Sequence, residues 1–254
     1  MKLGLKLWSV NTDTYYAAAQ KLYQENIFAY IELYIVPGTL HTLEAWRKLK
    51  IPFVLHAPHF AHGLNLACKE KEDSNAKIYK ETKQFADELQ VQYIIFHGGV
   101  DGTIQETARQ LAGFHEPRAL LENKPYVGLP KMGGQLCRGY SPQEAGYVLE
   151  QAHCGFCLDF GHAICAANSL KKDVYAYVRD FLPLKPKMFH LTDVDDITSE
   201  YDSHPHLGAG QLDMSKILTL LPQEAMVTVE TLKSFEDNLN DFAEDIRYLR
   251  HLLG

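Results

Sequence analysis

Apolar residues along this chain alternate between two periods. Short runs rich in aliphatic, aromatic and β-branched residues are each followed by a longer segment in which apolar positions recur every three or four residues. The runs are KLGLKLW around Leu5, AYIELY around Ile31, FVLH ending at His56, YIIFH ending at His97, ALLE ending at Glu122, GFCLD ending at Asp159, MFHL around His190 and MVTVE ending at Glu230. Eight such strands, each trailed by a helix-sized segment, is the count a closed parallel barrel requires. The pattern predicts an α/β protein built as a single (β/α)8 TIM barrel over residues 1–254.

Helix signals sit where that plan needs them. Thr12, Asp13 and Thr14 are suited to cap a helix running to about Glu25, with Tyr15, Ala18, Ala19 and Leu22 on its inner face. Ser141-Pro142-Gln143-Glu144 reads as a capping box with proline in the first turn. Ser234 to Asp237 is expected to open the last helix, whose inner stripe is Leu239, Phe242, Ile246, Leu249 and Leu253. After the fifth strand comes a long loop rich in glycine and proline, NKPYVGLPKMGGQLCRGY, of the kind that serves a barrel's function.

Composition adds bounds. The chain's 254 residues, 46% hydrophobic and 22% charged, describe an ordinary soluble protein, and no run approaches a membrane span. A cytoplasmic location is expected, with no membrane partner. A formal charge of −7 argues against non-specific nucleic-acid binding, although a bound metal cluster would change the local balance. Five irregularly spaced cysteines fit a reducing compartment. Cys154 and Cys157 form a CxxC, but CGFCLDF reads as a buried strand, so both are taken as small packing residues.

The chemistry converges on one end of the barrel. Six strands end in a side chain that can ligate metal: His56, His97, Glu122, Asp159, His190 and Glu230. Strand C-termini share one mouth in a parallel barrel, so these groups should meet there, joined by His162, Asp202 and His204 from the loops just beyond. A buried set of carboxylates and histidines with no cation would be self-repulsive or forced neutral. Oxygen and imidazole donors without cysteine suit zinc, manganese, iron or magnesium. His59, His62 and His206 have no assigned role and are expected to face solvent from loops; Trp8 and Tyr34 are candidates for the pocket floor.

These motifs resemble the endonuclease IV family, within the wider xylose-isomerase-like superfamily. LHAPHFAHGLNLA, IIFHGG and LLENKPYVG are similar to the family's third-, fourth- and fifth-strand motifs, through His56, His97 and Glu122. CLDFGHA carries Asp159 and His162, FHLTD carries His190, DSHPHLGAG carries Asp202, His204, Gly208 and Gly210, and VTVET ends on Glu230. The likeness runs from about residue 50 onward and matches all nine metal ligands. It implies divalent metal, zinc above all and up to three ions, with manganese or magnesium as alternatives. Three departures stand beside it. The loop between His56 and Asn65 is longer, the first two strands are closer to sugar isomerases, and DVDDITSEYDSH is acidic where both relatives tend to be basic.

Two chemistries fit. In the first, clustered cations generate a nucleophile and stabilise an in-line displacement at a phosphodiester such as an abasic site in DNA, with Glu122, Asp159, His204 and Glu230 as the catalytic set. In the alternative, one metal on Glu122, Asp159, His190 and Glu230 polarises a ketose carbonyl while the two glutamates shuttle a proton, as in a sugar or sugar-phosphate isomerase or epimerase. His56, His97, Asp202 and His204 are surplus to that alternative and point to the multinuclear phosphoesterase. A non-catalytic metal-binding barrel is the third reading. Lys124, Lys131 and Arg138 in the fifth loop are candidate phosphate contacts for a phosphorylated or sugar-containing substrate.

Overall fold

The computed structural model describes all residues from Met1 to Gly254. Each predicted strand forms: β1 Lys2–Trp8, β2 Tyr30–Tyr34, β3 Phe53–His56, β4 Ile94–His97, β5 Ala119–Glu122, β6 Gly155–Asp159, β7 Met188–Leu191 and β8 Met226–Val229. Neighbours in sequence are hydrogen-bonded neighbours in space, all parallel, and β1 closes the circle against β8 with Leu3 opposite Val227. The helices are α1 Tyr16–Gln24, α2 Leu43–Lys48, α3 Glu72–Glu88, α4 Ile104–Gly113, α5 Pro142–Ala152, α6 Phe160–Ser169, α7 Val174–Asp180, α8 Met214–Leu218 and α9 Asn240–Leu253. None is long and apolar enough to cross a membrane.

The two-residue period of the strands sorts their side chains into layers. Tyr30, Val54, Ile95, Leu120, Cys157 and Met188 form a small apolar cluster inside the barrel. Two residues further along the same six strands lie Glu32, His56, His97, Glu122, Asp159 and His190. The apolar layer is a plug, and the polar layer rests on it at the C-terminal end. The alternate strand residues, Leu5, Ile31, Leu33, Leu55, Phe96, Leu121, Leu158 and Val227 among them, face outward into the main core with the helices.

Some boundaries differ from the sequence expectation. α1 begins at Tyr16 because Trp8–Tyr15 is spent on a turn, in which Asn11 Oδ1 accepts from Trp8 N (2.7 Å) and Tyr15 OH donates to Phe235 O (2.6 Å). α9 begins at Asn240, not Ser234: the carboxylate of Asp241 accepts from Ser234 N (2.6 Å) and holds the preceding segment as a loop. Leu239, Phe242, Ile246 and Leu249 are buried as expected, whereas Leu253 is exposed on the final turn. Ser141 does cap α5, accepting from Glu144 N (3.1 Å), but the Glu144 carboxylate turns to Gly139 N (2.7 Å) and does not close the box. Cys154 and Cys157 are free thiols; burial pushes Cys157 up to about 12, which fits a packing residue.

Gly4 is inward-facing on β1, opposite Tyr30. A Cβ there would lie 2.3 Å from the Tyr30 ring, whose hydroxyl is tied to Thr228 Oγ1 (2.9 Å) and cannot swing away freely. Gly4→Ala is therefore expected to cost about 1–3 kcal/mol by overpacking, read from the midpoint of urea unfolding. An unchanged midpoint would show that the plug has slack.

Candidate metal centre

The polar layer is joined to the strands by short backbone spans, so its geometry follows from the barrel register. Glu122 lies at its centre. Its Oε2 is 2.9 Å from His56 Nε2 and 3.1 Å from His97 Nε2, and its Oε1 is 2.9 Å from His162 Nδ1. His162 Nε2 and His204 Nε2 both approach Asp202 Oδ2, at 3.3 and 2.9 Å. His190 Nδ1 faces three carboxylates: Glu230 Oε1 at 3.0 Å, Glu122 Oε2 at 3.6 Å and Asp159 Oδ2 at 3.7 Å. All nine side chains singled out from the sequence thus form one cluster: seven line the cavity, and Asp159 and His190 are buried against them.

Their histidines are oriented from behind. His56 Nδ1 donates to Ala57 O (2.7 Å), His162 Nδ1 to Asn123 O (2.9 Å) and His204 Nδ1 to Glu230 O (2.7 Å). His190 Nε2 donates to Glu32 Oε2 (2.9 Å). Each contact fixes one ring nitrogen and turns the other towards the carboxylates, the arrangement metal-binding histidines adopt. His190 Nδ1 is buried and has no hydrogen-bond partner, and the same holds for Asp202 Oδ1. An unpartnered imidazole nitrogen aimed at three carboxylates is a donor set that a cation would complete, so these residues fit a divalent metal. Three groups have ligand atoms close enough to hold an ion: His56, His97 and Glu122; Glu32, His190 and Glu230; and Glu122, Asp159 and His162.

Two further members of the centre, Glu32 and Lys6, lie inside the first two strands. Glu32 is fully buried on β2 and accepts from His190, from Thr228 Oγ1 (2.6 Å) and from Lys6 Nζ (2.5 Å). Lys6 also donates to Glu230 Oε1 (2.6 Å). Burial would raise the Glu32 carboxyl, but His190 and Lys6 outweigh it and hold the group at about 2. Burial likewise opposes the charge on Lys6, and the carboxylates of Glu230 and Glu32 override it. Both residues stand two positions beyond an inward neighbour, Gly4 or Tyr30, so the strand period carries them into the polar layer once the register is known.

The fifth-loop candidates divide. Lys124 and Lys131 line the cavity, whereas Arg138 does not: its Nε donates to Gly102 O (2.8 Å) and its guanidinium pairs with Glu144 (3.4 Å). Arg138 therefore ties the loop to α5 and is not a phosphate contact. The histidines expected in solvent also need correction. His59 lines the cavity, and burial drives it down to about 3. His62 Nδ1 is bonded to the Tyr34 hydroxyl (2.6 Å), and His206 bridges Asp245 Oδ2 (3.1 Å) and Ser234 Oγ (2.9 Å). Trp8 and Tyr34 do line the pocket, as walls above the polar layer. The cavity measures about 610 Å³, and its apolar lining includes Phe60, Leu129, Met132 and Leu232.

Over residues 23–252 the sequence matches the family described as "Xylose isomerase-like TIM barrel". The chain belongs to that family. Among solved structures it is similar to a D-tagatose 3-epimerase-like protein, at 19% identity and TM-score 0.74, covering 100% of this chain and 97% of that one. It is also similar to a protein from Thermus thermophilus soaked with ZnCl2, at 22% identity and TM-score 0.72 over 99% and 98% of the two chains. A third similar structure is endonuclease IV from the same organism, at 20% identity and TM-score 0.70 over 100% and 99%. No curated protein sequence gives a match. These likenesses establish the family fold; the narrower resemblance to endonuclease IV is not singled out, since an epimerase-like barrel is matched as well.

Glu32 holds His190 in the tautomer that frees Nδ1, so its charge should matter to metal binding. Glu32→Gln is expected to weaken divalent-metal affinity about 10–100-fold, measured by competition with a chromophoric chelator. Equal affinity in variant and wild type would remove Glu32 from the centre.

Proposed function

We propose that this protein is a metal-dependent isomerase or epimerase of a small sugar, a ketose or its phosphate. One observation carries the reading: Glu122, Asp159 and Glu230 surround the unpartnered His190 Nδ1 at the floor of a cavity of about 610 Å³ walled by Trp8, Tyr34, Phe60 and Leu129. Three carboxylates and one imidazole are a hard, oxygen-rich donor set, which suits manganese or magnesium better than zinc. The cavity has the dimensions of a small-molecule site, with aromatic walls against which a sugar ring packs. A similar barrel is described as D-tagatose 3-epimerase-like, which supports the same reading.

A divalent ion bound at this set supplies Lewis-acid polarisation of a carbonyl and its neighbouring hydroxyl. The rest is the work of the chain. Glu122 and Glu230 reach the pocket from β5 and from the end of β8, on either side of His190. Burial would raise both carboxyls, but His97 and His190 around Glu122, and His190 and Lys6 around Glu230, hold them well below the ordinary range. Both are therefore ionised and ready to accept a proton from the carbon beside the carbonyl. One glutamate takes that proton, and the other, after taking up a proton from solvent in the open cavity, returns it to the opposite face, which inverts the centre and leaves the two protonation states exchanged. Lys6, bonded to Glu230, holds that carboxylate in place and ionised. Lys131 lines the cavity and is the cation proposed to meet a phosphate on the substrate.

A multinuclear phosphodiesterase is the second reading, favoured by the arrival of His56, His97, His162, Asp202 and His204 in the same pocket. Against it stands the acidic balance of the chain: its formal charge is −7, and Asp195, Asp196 and Glu200 on the loop after β7 are exposed, which disfavours a DNA backbone.

A panel of ketoses and ketose phosphates assayed with Mn²⁺, Mg²⁺, Co²⁺ and Zn²⁺ tests the choice, alongside an abasic-site duplex and a simple phosphodiester. Conversion of a sugar with uptake of solvent deuterium at the carbon beside the carbonyl is expected, and Glu230→Gln should lower that turnover by about 10²-fold or more. Cleavage of a phosphodiester with no sugar conversion would overturn the reading.

A further inference from the structure

Lys124 follows Glu122 by two residues and is one of the fifth-loop candidates for a phosphate contact. Its ammonium is turned into the polar layer, with Nζ 3.1 Å from His162 Nε2, 3.4 Å from His97 Nε2 and 3.9 Å from Glu122 Oε1. The side chain is only 12% exposed, so this is a seated cation and not a solvated one.

The atoms around it are ligand atoms. His162 Nδ1 donates to Asn123 O, and its Nε2 lies between Lys124 Nζ at 3.1 Å and Asp202 Oδ2 at 3.3 Å. His97 Nε2 and the Glu122 carboxylate belong to a second group, with His56, whose ligand atoms lie close enough for an ion of its own. A peripheral metal held by His97, or by His162, would need the same nitrogens that Lys124 Nζ now approaches. Two cations a few ångströms apart repel strongly in a buried site, so an ammonium there and a second divalent ion exclude each other. The His190 end differs. There Nδ1 is unpartnered, and Lys124 makes no contact within hydrogen-bond distance of His190, Asp159 or Glu230.

We infer that Lys124 is a built-in cation that takes the place of the peripheral metals and limits the centre to one ion, at Glu122, Asp159, His190 and Glu230. The inference rests on the metal-dependent reading above and accounts for nine metal-ligating side chains in a centre that works with one metal. The histidines beyond the central set then serve to seat the ammonium and to orient Glu122. Lys124 thereby acts as the residue that decides between one-ion and several-ion chemistry in this chain.

The test is metal stoichiometry by elemental analysis after dialysis against limiting free Mn²⁺ or Zn²⁺, on wild type, Lys124→Ala, Lys124→Arg and the double variant Lys124→Ala/His97→Ala. Circular dichroism on each variant establishes that it is folded. Wild type and Lys124→Arg are expected to hold about one ion per chain, Lys124→Ala at least about one more, and the double variant to fall back towards one, because His97 supplies a donor to the gained site. Wild type with two or three ions would overturn the inference while leaving metal dependence intact. One ion in both wild type and folded Lys124→Ala would overturn it as well. Should Lys124→Ala not fold, Lys124→Met, which removes the charge and keeps the bulk of the side chain, is scored in the same way. Failure of every protein to bind metal would overturn the functional reading together with the inference, an outcome distinct from the other two.

Discussion

Everything at the top of this barrel answers to one constraint: carboxylates have been placed where water cannot solvate them. Glu32, Glu122 and Asp159 are buried, and Asp202 and Glu230 lie against the same histidines. A lone carboxylate in such a position would give up its charge, and several together would repel one another. Here each is matched. Glu32 has Lys6, Thr228 and His190; Glu122 has three histidines; Asp202 has two; Glu230 has Lys6 and His190. Asp159 is tied by its Oδ1 to His162 N at the start of α6 (2.7 Å). Matching is incomplete at His190 Nδ1 and at Asp202 Oδ1, and it is at His190, which faces three carboxylates, that a divalent ion would complete the balance of charge.

The scaffold makes this possible through the two-residue period of its strands. The same six strands that supply the polar layer supply, two residues earlier, an apolar plug that closes the barrel interior beneath it. Alternate residues build the core under the helices, so the site is held by the same packing that stabilises the fold. Asp193 shows how the loops are held as well. Its carboxylate accepts from Gly208 N, Gly210 N and Leu212 N, which fixes the loop that brings Asp202 and His204 over the mouth. Gly210 is required there, since a Cβ would lie 2.5 Å from Asp193 Oδ1.

What could be read from the sequence, and what could not, follows from the same physics. Strand-end His56, His97, Glu122 and Asp159 were legible because a titratable residue that closes each of several apolar runs brings its charge to the one mouth those strands share. Glu32 and Lys6 were not, because a charge inside a strand looks like a solvent-facing alternate until the register shows that it points inward. Arg138 was misassigned because its partner, Glu144, is chosen by how the fifth loop folds back on α5. The start of α9 was misplaced because the Asp241 carboxylate stabilises a loop over Ser234, a side-chain contact that outweighs local helix signals. Lys124 sits nearest the heart of the centre and had the least legible role, since its direction depends on side chains from β4 and α6.

The central claim is that this charge arrangement is complete only with a bound divalent ion. Thermal unfolding of metal-replete protein against protein stripped by excess chelator, with metal content checked by elemental analysis, tests it most directly. An ion that binds only the folded state, at a hundred times its dissociation constant, adds about 2.7 kcal/mol, and in a chain of this size that raises Tm by roughly 5–10 °C. A drop in Tm of that order on stripping, restored by adding the ion back, is the result expected. Coincident melting curves for the replete and stripped protein would contradict the account.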